Sequence, residues 1–120
     1  LQFAKIKDAD KHRAALPRHK VIRWIRNTLE VDGEVTVRIV EIPPGGETGW
    51  HTHPVPGYGY ILSGQLTLEV EGKKTLTFDS GQAVIESVDL LHNGKNLGTK
   101  PLKILAFFTG EAGKPHTIKK

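Results

Sequence analysis

Cysteine and methionine are both missing from this 120-residue chain. Without cysteine there are no thiolate metal sites, no disulfide framework and no cysteine nucleophile, so any soft ligand chemistry falls to imidazole. No apolar run approaches the ~20 residues a membrane-spanning helix needs, and no helix-length amphipathic segment follows Asp32. Internal repeats and low-complexity tracts are absent too. The chain opens on Leu1 with no charged-then-apolar leader, which is the expectation for a processed or shortened form. These features imply a soluble protein without a membrane partner and leave the compartment, cytoplasmic or exported, open.

Positive charge is in excess but unevenly placed. Lys5, Lys7, Lys11, Arg13, Arg18, Lys20, Arg23 and Arg26 face only Asp8 and Asp10 in residues 1–26, whereas residues 27–110 carry more acidic than basic side chains. Interleaved charge at a terminus reads as a solvated arm rather than a nucleic-acid footprint, so no nucleic-acid partner is expected. The expected organisation is a basic N-terminal arm and first strand over 1–26, a β-domain over 27–110 and a polar, loose C-terminal tail over 111–120. Within the arm, Asp8–Ala15 suits a short helical turn ending before Pro17, and Val21–Arg26 an extended stretch.

From there the pattern is strand. Val35, Val37 and Ile39 alternate with Glu34, Thr36, Arg38 and Glu41, as a half-buried strand requires, until Pro43-Pro44-Gly45-Gly46 ends the run. Leu66, Leu68 and Val70 alternate with polar residues, and Gly72 then turns the chain towards Leu76 and Phe78 as a hairpin. Ala83–Glu86 and Leu102–Phe108 complete some eight short strands, an all-β sandwich or barrel.

Chemistry concentrates at His51 and His53. Two histidines separated by one residue on a strand project from one face and can reach a single point. His92, flanked by Leu90 and Leu91, is the candidate third ligand. His12, His19 and His116 sit in the arm and tail and read as exposed.

These residues resemble the two motifs of the cupin superfamily. In the first, Gly45, His51, His53 and Gly64 are in register; in the second, Gly81, His92 and Asn96 keep their spacing while Ser87 and Asp89 replace the proline and inner glycine. The resemblance implies a single cupin barrel, a double-stranded β-helix or jelly roll with a short N-terminal arm, holding one divalent metal on His51, His53 and His92. Iron is favoured, with zinc, nickel, manganese or copper as alternatives. Gly57 stands where the family carries its metal-binding glutamate. Three neutral histidines would leave the ion a stronger Lewis acid, with about one more unit of local positive charge than a site with a carboxylate. Glu47 offers a replacement carboxylate from the preceding loop, though nothing in the sequence places it at the site.

If Gly57 faces inward, so do Gly59 and Ile61, while Tyr58 and Tyr60 point away. Two glycines in a pocket floor leave room for a substrate or let strands approach closely. Trp50, Tyr58 and Tyr60 read as packing or dimer contacts before ligand contacts. Glu86 and Tyr60 are available acid–base types without a spacing that assigns a role. The resemblance implies a mononuclear-metal enzyme acting on a small organic molecule, dioxygenase-like chemistry foremost. The alternatives are a non-catalytic metal- or ligand-binding or sensing module and a barrel that has lost its metal. A homodimer is expected, with Val21–Ile25 crossing to the partner.

Overall fold

The computed structural model describes residues 19–23 and 33–120. His12 and the helical turn at Asp8–Ala15 lie outside the described residues, as do Trp24 and Ile25. The described strands are β1 (His19–Arg23), β2 (Gly33–Ile42), β3 (His51–Thr52), β4 (Gly57–Ser63), β5 (Gln65–Val70), β6 (Leu76–Asp79), β7 (Ala83–Glu86), β8 (His92–Lys95), β9 (Leu102–Glu111) and β10 (Ile118–Lys119). They form two five-stranded antiparallel sheets, ordered β1-β2-β9-β4-β7 and β10-β3-β8-β5-β6, the all-β cupin barrel. Among the described residues no helix is long and apolar enough to cross a membrane.

Strand alternation decides what the two sheets enclose. Leu66 and Leu68 of β5, Ile61 of β4, Val84 of β7, Leu102 of β9 and Ile42 of β2 form one buried cluster, with Val40, Val70, Phe78 and Ile104 packed against it. Each is the inward member of an alternating pair, and burying such a side chain contributes about 1.5–3 kcal/mol. Ile61 is inward and fully buried while Tyr58 and Tyr60 are exposed on the outer face, as the alternation from Gly57 requires.

The inward face of β2 is the opposite of the one its apolar residues suggest. Thr36 is buried, and Arg38, Val40 and Ile42 line the interior, while Val35, Val37 and Ile39 are only partly buried. Arg38 lines the cavity yet stays exposed, and Thr36, buried on the same face, lies opposite Phe108 of β9. The apolar set instead joins an outer row in which Val37 pairs with Phe107, Phe107 with Tyr58 and Tyr58 with Ile85.

The C-terminal tail is not loose. β9 runs to Glu111, and β10 pairs with β3 so that Ile118 lies opposite Thr52 and Lys119 opposite His51. Polar composition concealed this because a two-residue edge strand needs only backbone hydrogen bonds.

Turn chemistry explains the motif positions that do not touch the cavity. Gly64 has φ +80°, and a Cβ there would lie 2.7 Å from the Pro101 carbonyl oxygen, so only glycine fits. Asp89, at the second motif's inner glycine, also adopts a left-handed φ of 59°, a conformation Asp tolerates better than most residues. Asn96 is fully buried. It donates Nδ2 to Ile42 O (2.9 Å) and Lys100 O (2.8 Å) and accepts Gly98 N at Oδ1 (3.0 Å), tying the end of β2 to the segment after β8.

Candidate metal centre

The sheet register brings the histidines together. His51 on β3 lies directly opposite His92 on β8, and His53 follows two residues on, its side chain on the same inward face. All three are buried, at 7%, 2% and 4% exposure for His51, His53 and His92. Their ring centroids are 4.8 Å (51–53), 4.3 Å (51–92) and 5.0 Å (53–92) apart, and one ligand atom from each lies within 4.8 Å of the others.

Backbone carbonyls set the tautomers. Nδ1 of His51 lies 2.7 Å from Gly49 O, Nδ1 of His53 2.7 Å from His116 O, and Nδ1 of His92 2.7 Å from Leu90 O. A carbonyl oxygen only accepts, so each Nδ1 carries the hydrogen, and each neutral ring presents an Nε2 lone pair. The buried Nε2 atoms of His53 and His92 have no hydrogen bond of proper geometry.

Glu86, at the end of β7 in the facing sheet, brings a carboxylate to the same point. Its Oε2 is 2.7 Å from His53 Nε2 and its Oε1 3.6 Å from His92 Nε2. An imidazole lone pair and a carboxylate oxygen at 2.7 Å are two acceptors, which need a proton or a cation between them. Burial would raise the Glu86 pKa, but His53 and His92, when protonated, would donate to the carboxylate and outweigh burial, holding the carboxyl at about 2. Burial likewise works against a charged His92, yet Glu86 and the Leu90 carbonyl raise its pKa. For His51, burial and the neighbouring His92 and His53 lower it. The converging, acceptor-only donor set of neutral nitrogens and a carboxylate fits a divalent cation.

Two readings from the sequence change here. Glu47 does line the cavity, but its Oε2 accepts from Asn93 Nδ2 at 2.7 Å; the carboxylate that reaches the histidines is that of Glu86. His116 is not peripheral. Its carbonyl orients His53, its ring is partly buried, and it stacks on Phe108 at 4.5 Å with 13° between planes. Thr117 Oγ1 adds a contact to His53 Nδ1 at 3.2 Å. Of His19, only the backbone is described, in β1.

The histidines open into a cavity of about 300 Å³. Aliphatic side chains from both sheets line it, Gly59 lets β4 pack closely on Ile104 and Val84, and the charged lining is mixed, Arg38 and Lys119 against Glu41, Glu47 and Glu86. Trp50 is not among the lining residues of this cavity.

Fold and site together define a β-barrel with an internal histidine cluster, and residues 38–108 match the family model described as the cupin domain. The chain belongs to the cupin family. It is 43% identical over 91 residues to an endoribonuclease YbeY of Polaromonas naphthalenivorans and 58% identical over 91 residues to that of Paracidovorax citrulli, covering 76% of this chain and 51% of each relative. The chain thus spans about half the length of these curated relatives, and the ribonuclease activity in their name is stated of them. Among solved structures it resembles a recombinant oxalate oxidase in complex with glycolate (TM-score 0.57, 19% identity, 88% of this chain and 57% of that one). It also resembles a Bacillus subtilis oxalate decarboxylase studied for its Mn(II) centres (0.61, 19%, 88% and 29%) and the formate complex of Lactobacillus farciminis oxalate decarboxylase (0.60, 24%, 88% and 32%). At these identities the likeness is one of fold.

Proposed function

We propose that this cupin is a mononuclear-metal enzyme in which His51, His53 and His92 hold one divalent cation, ferrous iron foremost, and that it acts on a small organic molecule with dioxygen as co-substrate. The observation that carries the reading is the fixed tautomer of all three histidines, each Nδ1 committed to a carbonyl. Outer partners of this kind orient metal-bound imidazoles and raise their basicity. When bound, the metal supplies Lewis acidity and open positions facing the cavity. The chain's own residues do the rest. Apolar walls from Leu66, Leu68, Val84 and Ile104 exclude water, and Arg38 and Lys119 offer cationic groups to a substrate carboxylate among the lining carboxylates of Glu41, Glu47 and Glu86. A cavity of about 300 Å³ suits a molecule of a few carbons with two adjacent donor atoms.

The outer row of Val37, Phe107, Tyr58 and Ile85 supports a homodimer through this sheet face, with Tyr58 42% and Ile85 77% exposed. Within the single chain β1 pairs with β2, and this sheet face is a candidate contact beside the arm at Val21–Ile25. An oxygen electrode tests the activity: iron-loaded protein is screened against diketones, catechols, thiols and hydroxy acids. Oxygen uptake with one class supports the enzyme, and ligand binding without uptake in any class supports the metal-anchored binding module instead.

A further inference from the structure

Gly57 and Glu86 face each other directly across the β4–β7 pair. A Cβ on residue 57 would lie 3.0 Å from Glu86 Oε2 and 2.9 Å from Phe108 Cε1. The Glu86 carboxylate therefore fills the space into which any side chain at 57 would grow. Both positions belong to the sheet facing the histidines, and from it the Glu86 carboxylate reaches the Nε2 atoms of His53 and His92. We propose that Glu86 is the fourth protein ligand, carried by β7 instead of β4, and that glycine at 57 is what gives it room.

The distances agree with a ligand's place. Neighbouring donor atoms around a six-coordinate ion with bonds of ~2.1 Å are about 3 Å apart, and the Glu86 oxygens lie 2.7 and 3.6 Å from the Nε2 atoms of His53 and His92. The Glu86 side chain is 22% exposed, partly withdrawn from the surface towards the histidines. Phe108 borders the same space at Gly57, its ring 4.7 Å from that of His53 and stacked on His116. Glu86 would lower the charge of the centre by one and leave the cation fewer open positions than three histidines alone would.

This inference rests on metal binding by the three histidines, and the experiment separates the two. Cobalt(II) is titrated into metal-free wild type, Glu86→Gln and His92→Ala, reading affinity by chelator competition and coordination by the visible absorption spectrum, with circular dichroism as the control for folding. The expected result is a ten- to hundredfold loss of affinity and an altered spectrum for Glu86→Gln, with greater loss for His92→Ala. A folded Glu86→Gln protein whose cobalt spectrum matches wild type, whatever its affinity, would overturn the ligand role while leaving the histidine site intact. Wild type that takes up no cobalt would overturn both.

Discussion

Removing residues 115–120 separates the tail's role in the site from its role in the fold. The deletion takes away the His116 carbonyl that accepts from His53 Nδ1 at 2.7 Å, the Thr117 hydroxyl at 3.2 Å, and the pairing of β10 with β3. It also removes the Lys120 N to Trp50 O bond (3.0 Å) and the Lys119 Nζ contact with Thr48 O (2.5 Å). His53 would keep its place on the chain but lose what fixes its ring and tautomer. Loss of such an outer partner typically costs 10–100-fold in metal affinity, or about 1.4–2.8 kcal/mol. His116→Ala is the matched control, because it keeps the carbonyl while removing the ring, with its stack on Phe108, worth about 0.5–1.5 kcal/mol of stability, and its Nδ1 contact to Thr117 Oγ1 (2.7 Å). Metal affinity by chelator competition and unfolding by urea are measured on both. The deletion should weaken metal binding at least tenfold, and His116→Ala should lower stability while shifting affinity less than about threefold. A folded deletion variant that binds metal as wild type does would refute the claim that the tail carbonyl sets His53.

Gly57→Glu should not tighten metal binding, although the sequence motif suggests that it would. The new side chain meets Phe108, which is wedged between His53 and His116, and the Glu86 carboxylate. Overpacking of about 1–3 kcal/mol and weaker metal uptake are expected, read by thermal melting and competition. Asn96→Ala removes three hydrogen bonds and leaves the Ile42 carbonyl without that donor; urea unfolding should show a loss of about 2–4 kcal/mol with little change in the metal affinity of the folded protein. Protons compete with the cation for Nε2. Because the pKa of His92 is raised against the opposing effect of burial, cobalt affinity should begin to fall above pH 6.5 as the solution is acidified, not below it. His51, lowered by burial and its histidine neighbours, adds little competition there. An affinity flat from pH 8 to 6 would contradict this.

The strands, the hairpin and the histidine triad were legible because each is a local pattern: a period of two, a glycine at a turn, a His-x-His spacing. Gly45, Gly64 and Gly81 all have positive φ, so the glycine spacing of both motifs is a record of turn geometry. What could not be read locally depends on the other sheet. Glu86 was visible only as an acid on a short strand, since its partners come from β3 and β8 and its room comes from Gly57 on β4. The one available signal was the coincidence of a missing carboxylate at 57 with a carboxylate on the next inward-facing strand of that sheet. The β2 face was misread because apolar residues were assigned to the interior, whereas Thr36 and Arg38 hold the inward positions at that level and the apolar face is on the outside. The tail's role lies in backbone groups, a carbonyl above all, which composition does not register.

The most direct test of the metal centre is the metal content of wild-type protein purified without an immobilised-metal column, measured beside His51→Ala, His53→Ala and His92→Ala. Wild type should carry, or take up from ferrous iron under anaerobic conditions, about one divalent ion per chain, as expected for a single site of three imidazole ligands, and each variant should carry far less. A wild-type protein that neither contains a divalent metal nor binds one, or variants that retain the full wild-type content, would contradict it.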